Sequence, residues 1–193
     1  MPDNDFGYTV WGRDWVRLAE PLSQTRPDPQ LPRARRLARD GHVEVSIDGG
    51  TVRAVVRHGR HTLATDIEVA PMPREASAEI SRRLSGGQPV LTEELYRAIV
   101  EAGHPPAPKV GGVACSCSAD VPRCVHVLAV YYDMARRVDD DPRIALEVRG
   151  FFRVPAETAK ASAASAAAPR QWIALNALDP GEYFVPHDGA AHG

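Results

Sequence analysis

The sequence predicts an α+β fold, in which helices cover a small antiparallel β-meander and a compact hairpin-plus-helix unit follows. Three observations support this class. Apolar and polar residues alternate between residues 43 and 69, which is typical of a sheet with one buried face. Apolar residues at helical spacing occur both before and after that region. All three cysteines lie between positions 115 and 124, with a histidine at position 126.

Two helices are predicted ahead of the sheet. The segment "VWGRDWVRLAEPL" places Trp11, Trp15 and Leu18 at helical spacing, so two indoles should anchor a short helix in the core. The segment "LPRARRLARDG" has Pro32 in its first turn and Gly41 at its end, which are the positions these residues favour at helix termini. A proline-rich break separates the two helices.

The second of these helices has two contrasting faces. One face carries its apolar residues: Leu31, Ala34, Leu37 and Ala38. The other carries four arginines: Arg33, Arg35, Arg36 and Arg39. This arginine face is the most basic local surface in the sequence, and Arg53, Arg57 and Arg60 could extend it. Two interpretations are open, a solvated helix surface or a set of contacts to nucleic-acid phosphates.

Three strands follow, in "HVEVSID", "TVRAVVR" and "TLATDIEVA". Asp48, Gly49 and Gly50 form the first hairpin turn and "HGRH" forms the second. Two further helices are predicted in "PREASAEISRRL" and "LTEELYRAIVEAG", the latter between a Thr92 cap and a Gly103 stop. These helices should cover the apolar side of the meander.

The segment "ACSCSADVPRCVHVLAVYY" has the spacing C-x-C-x6-C-x-H. Three thiolates and one imidazole match the donors of a closed tetrahedral zinc site. Residues two apart on a strand point to the same side, which brings the first two sulfurs together, and the histidine falls in the first turn of a helix. We therefore predict one structural Zn²⁺ in a zinc-clamped hairpin-plus-helix finger, bound by Cys115, Cys117, Cys124 and His126.

Other uses of these cysteines are less well supported. A C-x-C pair does not easily bridge itself, and an odd number of cysteines leaves one unpaired. Catalytic zinc keeps an open coordination position, whereas four protein ligands leave none. Asp120, the acidic residue in this segment that could act as a general base, is interpreted as a turn residue. The sequence has no Walker-type phosphate loop, nucleophile elbow or carboxylate pair. We expect a protein that is not an enzyme and has no small-molecule substrate.

Composition limits the remaining classes. The net charge of −2 excludes a chain-wide polyelectrolyte attraction to nucleic acid. No segment approaches the apolar length of a membrane span, and the start lacks the apolar core of a signal peptide. The expected location is cytoplasmic, where association with the nucleoid is compatible with the arginine face.

Three segments are expected: an N-terminal α+β domain (1–104), the finger with its following helix (105–150), and a tail (151–193). The segment "HPPAPKVGG", whose prolines and glycines predict no regular structure, separates the first two. The tail joins a low-complexity linker, "PAETAKASAASAAAP", to residues that include Trp172, Tyr183 and Phe184. It could be a docking peptide, a disordered end or a strap that packs on its own domain.

The ligand spacing and the apolar helix "VLAVYYDMARRV" resemble the SWIM zinc finger, although the gap of six residues is short and lacks a tryptophan. With "YTVWGRDWVRLAE" and the helix ending "ARDG", residues 6–150 look like bacterial SWIM zinc finger proteins. The resemblance implies a DNA-binding or protein-interaction module associated with helicase-like remodelling ATPases of the Snf family. We therefore expect an accessory protein to DNA or to a DNA-acting ATPase, or alternatively a protein–protein adaptor without nucleic-acid contact.

Overall fold

The sheet and its helices follow the chain in the predicted order. The structure is a computed structural model, and it describes residues 6–26, 28–84, 90–117 and 123–152. The elements in these ranges are α1 (Val10–Ala19), α2 (Leu31–Arg39), β1 (Val43–Asp48), β2 (Thr51–His58), β3 (His61–Val69), α3 (Arg74–Arg83), α4 (Glu93–Glu101), β4 (Val110–Cys115), α5 (Val125–Asp140) and α6 (Arg143–Glu147). The α+β class, with an antiparallel sheet and covering helices, is confirmed.

Both predicted hairpins have two-residue turns. Asp48 pairs with Thr51, so Gly49 and Gly50 form the first turn, with φ of 63° and 90°. This conformation is the one that matches the twist of a hairpin, and glycine adopts it without a steric cost. His58 pairs with His61 across the second turn, where Gly59 has φ of 63°. The second turn therefore holds two histidines at the same end of the sheet.

A fourth strand, β4, joins the meander beside β3 in an antiparallel arrangement. The expectation that "HPPAPKVGG" contains no regular structure is wrong for Val110, Gly111 and Gly112, which begin this strand. Glycine has a low intrinsic strand propensity, but the exposed edge of β3 supplies hydrogen-bonding partners that a local pattern does not reveal. The strand ends at Cys115, which pairs with Thr65 of β3.

Helix α5 is the centre of the core. It packs against α1, α2 and one face of the sheet, and most of its residues are buried. The two indoles of α1 are anchored as predicted, since Trp11 is 2% exposed and Trp15 is fully buried. The sheet contributes its inward-facing residues, including Val52, Val56 and Ile67. A helix apolar on nearly all sides suits this enclosed position.

The predicted segments 1–104 and 105–150 fall together in one compact unit, Met1–Arg153. Strand β4 and helix α5, from the second segment, complete the sheet and the core of the first. The division of this unit into two domains stays a prediction. Residues 143–147 form the short helix α6, and the predicted tail lies outside the described residues from 153 onward. Among the helices described, none is long and apolar enough to cross a membrane.

Candidate metal centre

The four predicted ligands come from two elements that meet beside the sheet. Cys115 is the last residue of β4, and Cys117 follows two positions later. Cys124 is the N-cap residue of α5, and His126 lies in the first turn of that helix. Residues 118–122, which include the predicted turn residue Asp120, lie outside the described part of the chain. The strand end and the helix start thus bring the cysteines and the histidine together.

The donor atoms of these residues all lie within 4.8 Å of one another. Nδ1 of His126 is 3.8 Å from Sγ of Cys115 and 3.8 Å from Sγ of Cys124. Tetrahedral zinc has bonds of about 2.3 Å to sulfur and 2.0–2.1 Å to nitrogen, which gives a sulfur-to-nitrogen edge of about 3.6 Å. None of the three cysteines, all of which lie in the described part of the chain, forms a disulfide. The cluster therefore fits a single metal ion in both donor chemistry and spacing.

Burial divides the cluster into an inner and an outer side. Cys124 is 2% exposed and His126 is 7% exposed, whereas Cys115 and Cys117 are half-buried. Burial raises the pKa of the Cys124 thiol to about 12, although the backbone amides of Val127 and His126 act in the opposite direction. Cys124 is consequently a thiol at neutral pH when no metal replaces its proton.

The pKa values of two other ligands, Cys115 and His126, are lowered. Burial acts to raise the pKa of Cys115, but hydrogen bonds with the Thr65 hydroxyl, with Cys117 and with Cys124 together outweigh it and lower that pKa. Burial, with the positive charges of His58 and Arg33, lowers the pKa of His126 below its usual value of 6.5. His126 is therefore neutral at pH 7, the state in which a ring nitrogen can bind a metal.

Two residues of the meander contact the ligands, and the sequence patterns did not single them out. Nδ1 of His58 lies 2.9 Å from Nε2 of His126, with ring centroids 5.1 Å apart at 62°. The hydroxyl of Thr65 donates to Sγ of Cys115 over 3.5 Å. Period-two alternation does place both residues on the buried side of the sheet. No local signal, however, connects positions 58 and 65 to the cysteine segment.

The structure separates the four arginines of α2. Arg33, Arg36 and Arg39 are exposed. Arg35 instead binds Glu20, with Nη2 2.5 Å from Oε1, and donates through Nε to the Tyr132 hydroxyl at 3.1 Å. Three of the four arginines in the predicted face are therefore exposed. The fourth, Arg35, connects α2 to Glu20 and to Tyr132 of α5.

Two of the three arginines that could extend this face from the sheet, Arg53 and Arg57, have acidic partners. Arg57 lies 2.7 Å from Glu44, and Arg53 lies within 3.7 Å of both Asp48 and Asp66. Carboxylates next to these guanidinium groups reduce the local positive charge. The basic surface is therefore smaller than the arginine content of the sequence suggests.

Comparison with known proteins gives one distant relative. The "Uncharacterized protein Rv2102" of Mycobacterium tuberculosis (strain ATCC 25618 / H37Rv) is 26% identical over 155 residues, which cover 74% of this chain and 55% of that protein. The chain thus spans about half the length of this relative. No protein-family model and no solved structure matches the chain. The resemblance to SWIM zinc finger proteins accordingly stays a prediction.

Proposed function

We propose that the protein is a zinc-stabilised, non-enzymatic interaction module of the SWIM type. The observation that carries this proposal is the group of three sulfurs and one imidazole nitrogen within 4.8 Å. Thiolate-rich sets of four donors favour zinc over the hard cations magnesium and calcium, which prefer oxygen. Because four side chains complete the tetrahedron, the site has no open position for a substrate.

The ligands Cys115, Cys117, Cys124 and His126 would connect the end of β4 to the start of α5. When bound, zinc supplies a cross-link whose contribution to folding is about 10 kcal/mol in zinc-finger peptides. This cross-link is adjacent to the core, because α5 packs on α1, α2 and the sheet. The proposed role of the site is to hold the finger and the meander in one arrangement.

The proposed partner is DNA or a DNA-acting, helicase-like ATPase. The resemblance to SWIM zinc finger proteins supports this assignment, and so does the exposed basic surface formed by Arg33, Arg36 and Arg39. Arg33 is close enough to the centre for its charge to affect His126. Guanidinium groups bind phosphates in pairs of hydrogen bonds, so this surface suits a nucleic-acid backbone.

A protein–protein adaptor without nucleic-acid contact is the second candidate. The observation that favours it is the pairing of Arg35, Arg53 and Arg57 with carboxylates, which leaves fewer cations for phosphate. The net charge of −2 agrees with this alternative.

The metal assignment is tested by elemental analysis of the purified full-length protein and of three variants. Wild type should contain one zinc ion per chain, whereas Cys124→Ser and His126→Ala should contain almost none. His61→Ala is the matched control, since His61 is exposed on the adjacent turn, and it should keep its zinc. A wild-type protein that takes up no zinc under reducing conditions would overturn the assignment.

The partner is tested by recovering the tagged protein from its own cells, with and without nuclease. A protein partner that survives nuclease favours the adaptor, whereas recovered DNA favours nucleic-acid binding. The double variant Arg33→Glu/Arg36→Glu should then weaken DNA binding and reduce its salt slope by about 2 units, if each arginine contacts one phosphate. Arg97→Glu, on α4, is the control. An unchanged salt slope in the double variant would show that this surface does not contact DNA.

A further inference from the structure

We infer that His58 and Thr65 of the meander form hydrogen bonds with His126 and Cys115 and so orient these two ligands for metal binding. This inference rests on the proposed zinc site. It assigns a role to two residues, 2.9 Å and 3.5 Å from ligand atoms, that belong to the sheet and not to the finger. The metal centre would then depend on both predicted segments of the chain.

The hydrogen bond between the two histidines has only one direction that is compatible with metal binding. Nδ1 of His126 is the ring nitrogen that lies 3.8 Å from the sulfurs of Cys115 and Cys124. A nitrogen that binds a metal carries no proton, so the proton of neutral His126 must be on Nε2. Nε2 then donates to Nδ1 of His58, 2.9 Å away. His58 thereby selects the tautomer and the ring orientation that ligation requires.

Thr65 acts on the other side of the cluster. Its side chain is almost completely buried, at 1% exposure, and its backbone pairs with that of Cys115. Its hydroxyl donates to Sγ of Cys115 over 3.5 Å, which favours the thiolate form and limits the rotation of this side chain. Thr65 therefore holds Cys115, the ligand at the end of β4, in place.

The alternation of the strands explains how the meander reaches the cluster. In β2, His58 follows the buried residues Val52, Ala54 and Val56 at intervals of two, and in β3, Thr65 precedes Ile67 at the same interval. All of these side chains consequently lie on the face that α5 covers. His126 lies in the first turn of α5. His58 and Thr65, the polar residues on this face, therefore lie beside the metal ligands.

The test is zinc affinity, measured on the full-length protein by competition with a chromophoric chelator. His58→Ala should weaken zinc binding 10- to 100-fold, the usual effect of removing a hydrogen-bond partner of a metal ligand. His58→Asn should recover most of the affinity, because its amide oxygen takes the position of Nδ1 and can accept the proton of His126. Thr65→Val, which keeps the shape but removes the hydroxyl, should weaken binding less, and the control His61→Ala should match wild type.

A spectroscopic readout separates orientation from general stability. In ¹⁵N NMR spectra of the zinc-loaded protein, the Nε2 proton of His126 should be protected from exchange in wild type and in His58→Asn, but not in His58→Ala. If wild type binds zinc and His58→Ala binds it equally well, or His126 stays protected in that variant, the inference is wrong although the site stands. If wild type binds no zinc, the proposed function itself fails.

Discussion

Arg35 and Glu20 form an ion pair, with Nη2 of the arginine 2.5 Å from Oε1 of the glutamate. The Tyr132 hydroxyl donates to the same oxygen over 2.5 Å and accepts from Nε of Arg35. Burial, followed by the hydrogen bond and the charge of Glu20, raises the pKa of Tyr132, which therefore remains a neutral hydroxyl. One network thus connects α2, α5 and Glu20, the C-cap residue of α1.

This network predicts different roles for neighbouring arginines. Arg35→Ala should lower the free energy of unfolding by about 1–2 kcal/mol, because Glu20 and Tyr132 lose a charged hydrogen-bond partner. Arg36→Ala, in the same helix but exposed, should change it by about 0.5 kcal/mol or less. Urea denaturation of the two variants measures both values. Equal losses would contradict the separation of Arg35 from the arginine face.

Asp139, near the end of α5, determines how α1 begins. Its carboxylate accepts from the backbone amides of Gly7 and Thr9 at 2.6 and 2.9 Å, and from the Thr9 hydroxyl at 2.7 Å. Asp139→Ala should cost about 3 kcal/mol, because these donors would lose a charged acceptor in a site where Asp139 is 6% exposed. The exposed neighbour Asp140 is the control, and Asp140→Ala should stay near wild type. Thermal unfolding compares the two, and similar midpoints would refute the prediction.

Gly12 allows α1 and α5 to approach closely. A Cβ atom added there would lie 2.9 Å from the carbonyl oxygen of Ala135 and would collide with the carboxylate of Asp139. Gly12→Ala should therefore destabilise the protein by about 2–3 kcal/mol, although alanine favours helices. At Gly111 an added Cβ lies 3.9 Å from the nearest atom, an ordinary contact. Gly111→Ala should accordingly be tolerated, and an equal loss in both variants would argue against this packing.

Zinc affinity should rise with pH. The Cys124 thiol, with a pKa of about 12, keeps its proton at neutral pH, so a metal ion must displace it. The pKa of His126 is below 6.5, so its proton does not compete above that pH. Each proton released makes the affinity about tenfold stronger per pH unit, and we expect at least this slope between pH 6.5 and 8. Chelator competition at several pH values measures it, and a pH-independent affinity would contradict thiol displacement.

Several features of the fold were predictable because they depend on residue patterns that span only a few positions along the chain. The alternation from Val43 to Val69 identified three strands, and the two-residue turns identified their hairpins. The C-x-C and C-x-H pairs identified a cluster that the structure brings within 4.8 Å. Strand β4 was only partly anticipated, since Gly111 and Gly112 have low strand propensity and pair because the edge of β3 is adjacent.

The sequence by itself determined the α+β class, the hairpins and the four candidate ligands, since each depends on residues a few positions apart. Only the tertiary structure decided that His58 lies against His126, that Thr65 lies against Cys115, and that Arg35 binds Glu20. These pairs are 68, 50 and 15 residues apart. Such contacts follow from how α5 packs on the sheet and on α1 and α2, and burial of apolar surface drives that packing without leaving a local pattern at the polar residues it brings together.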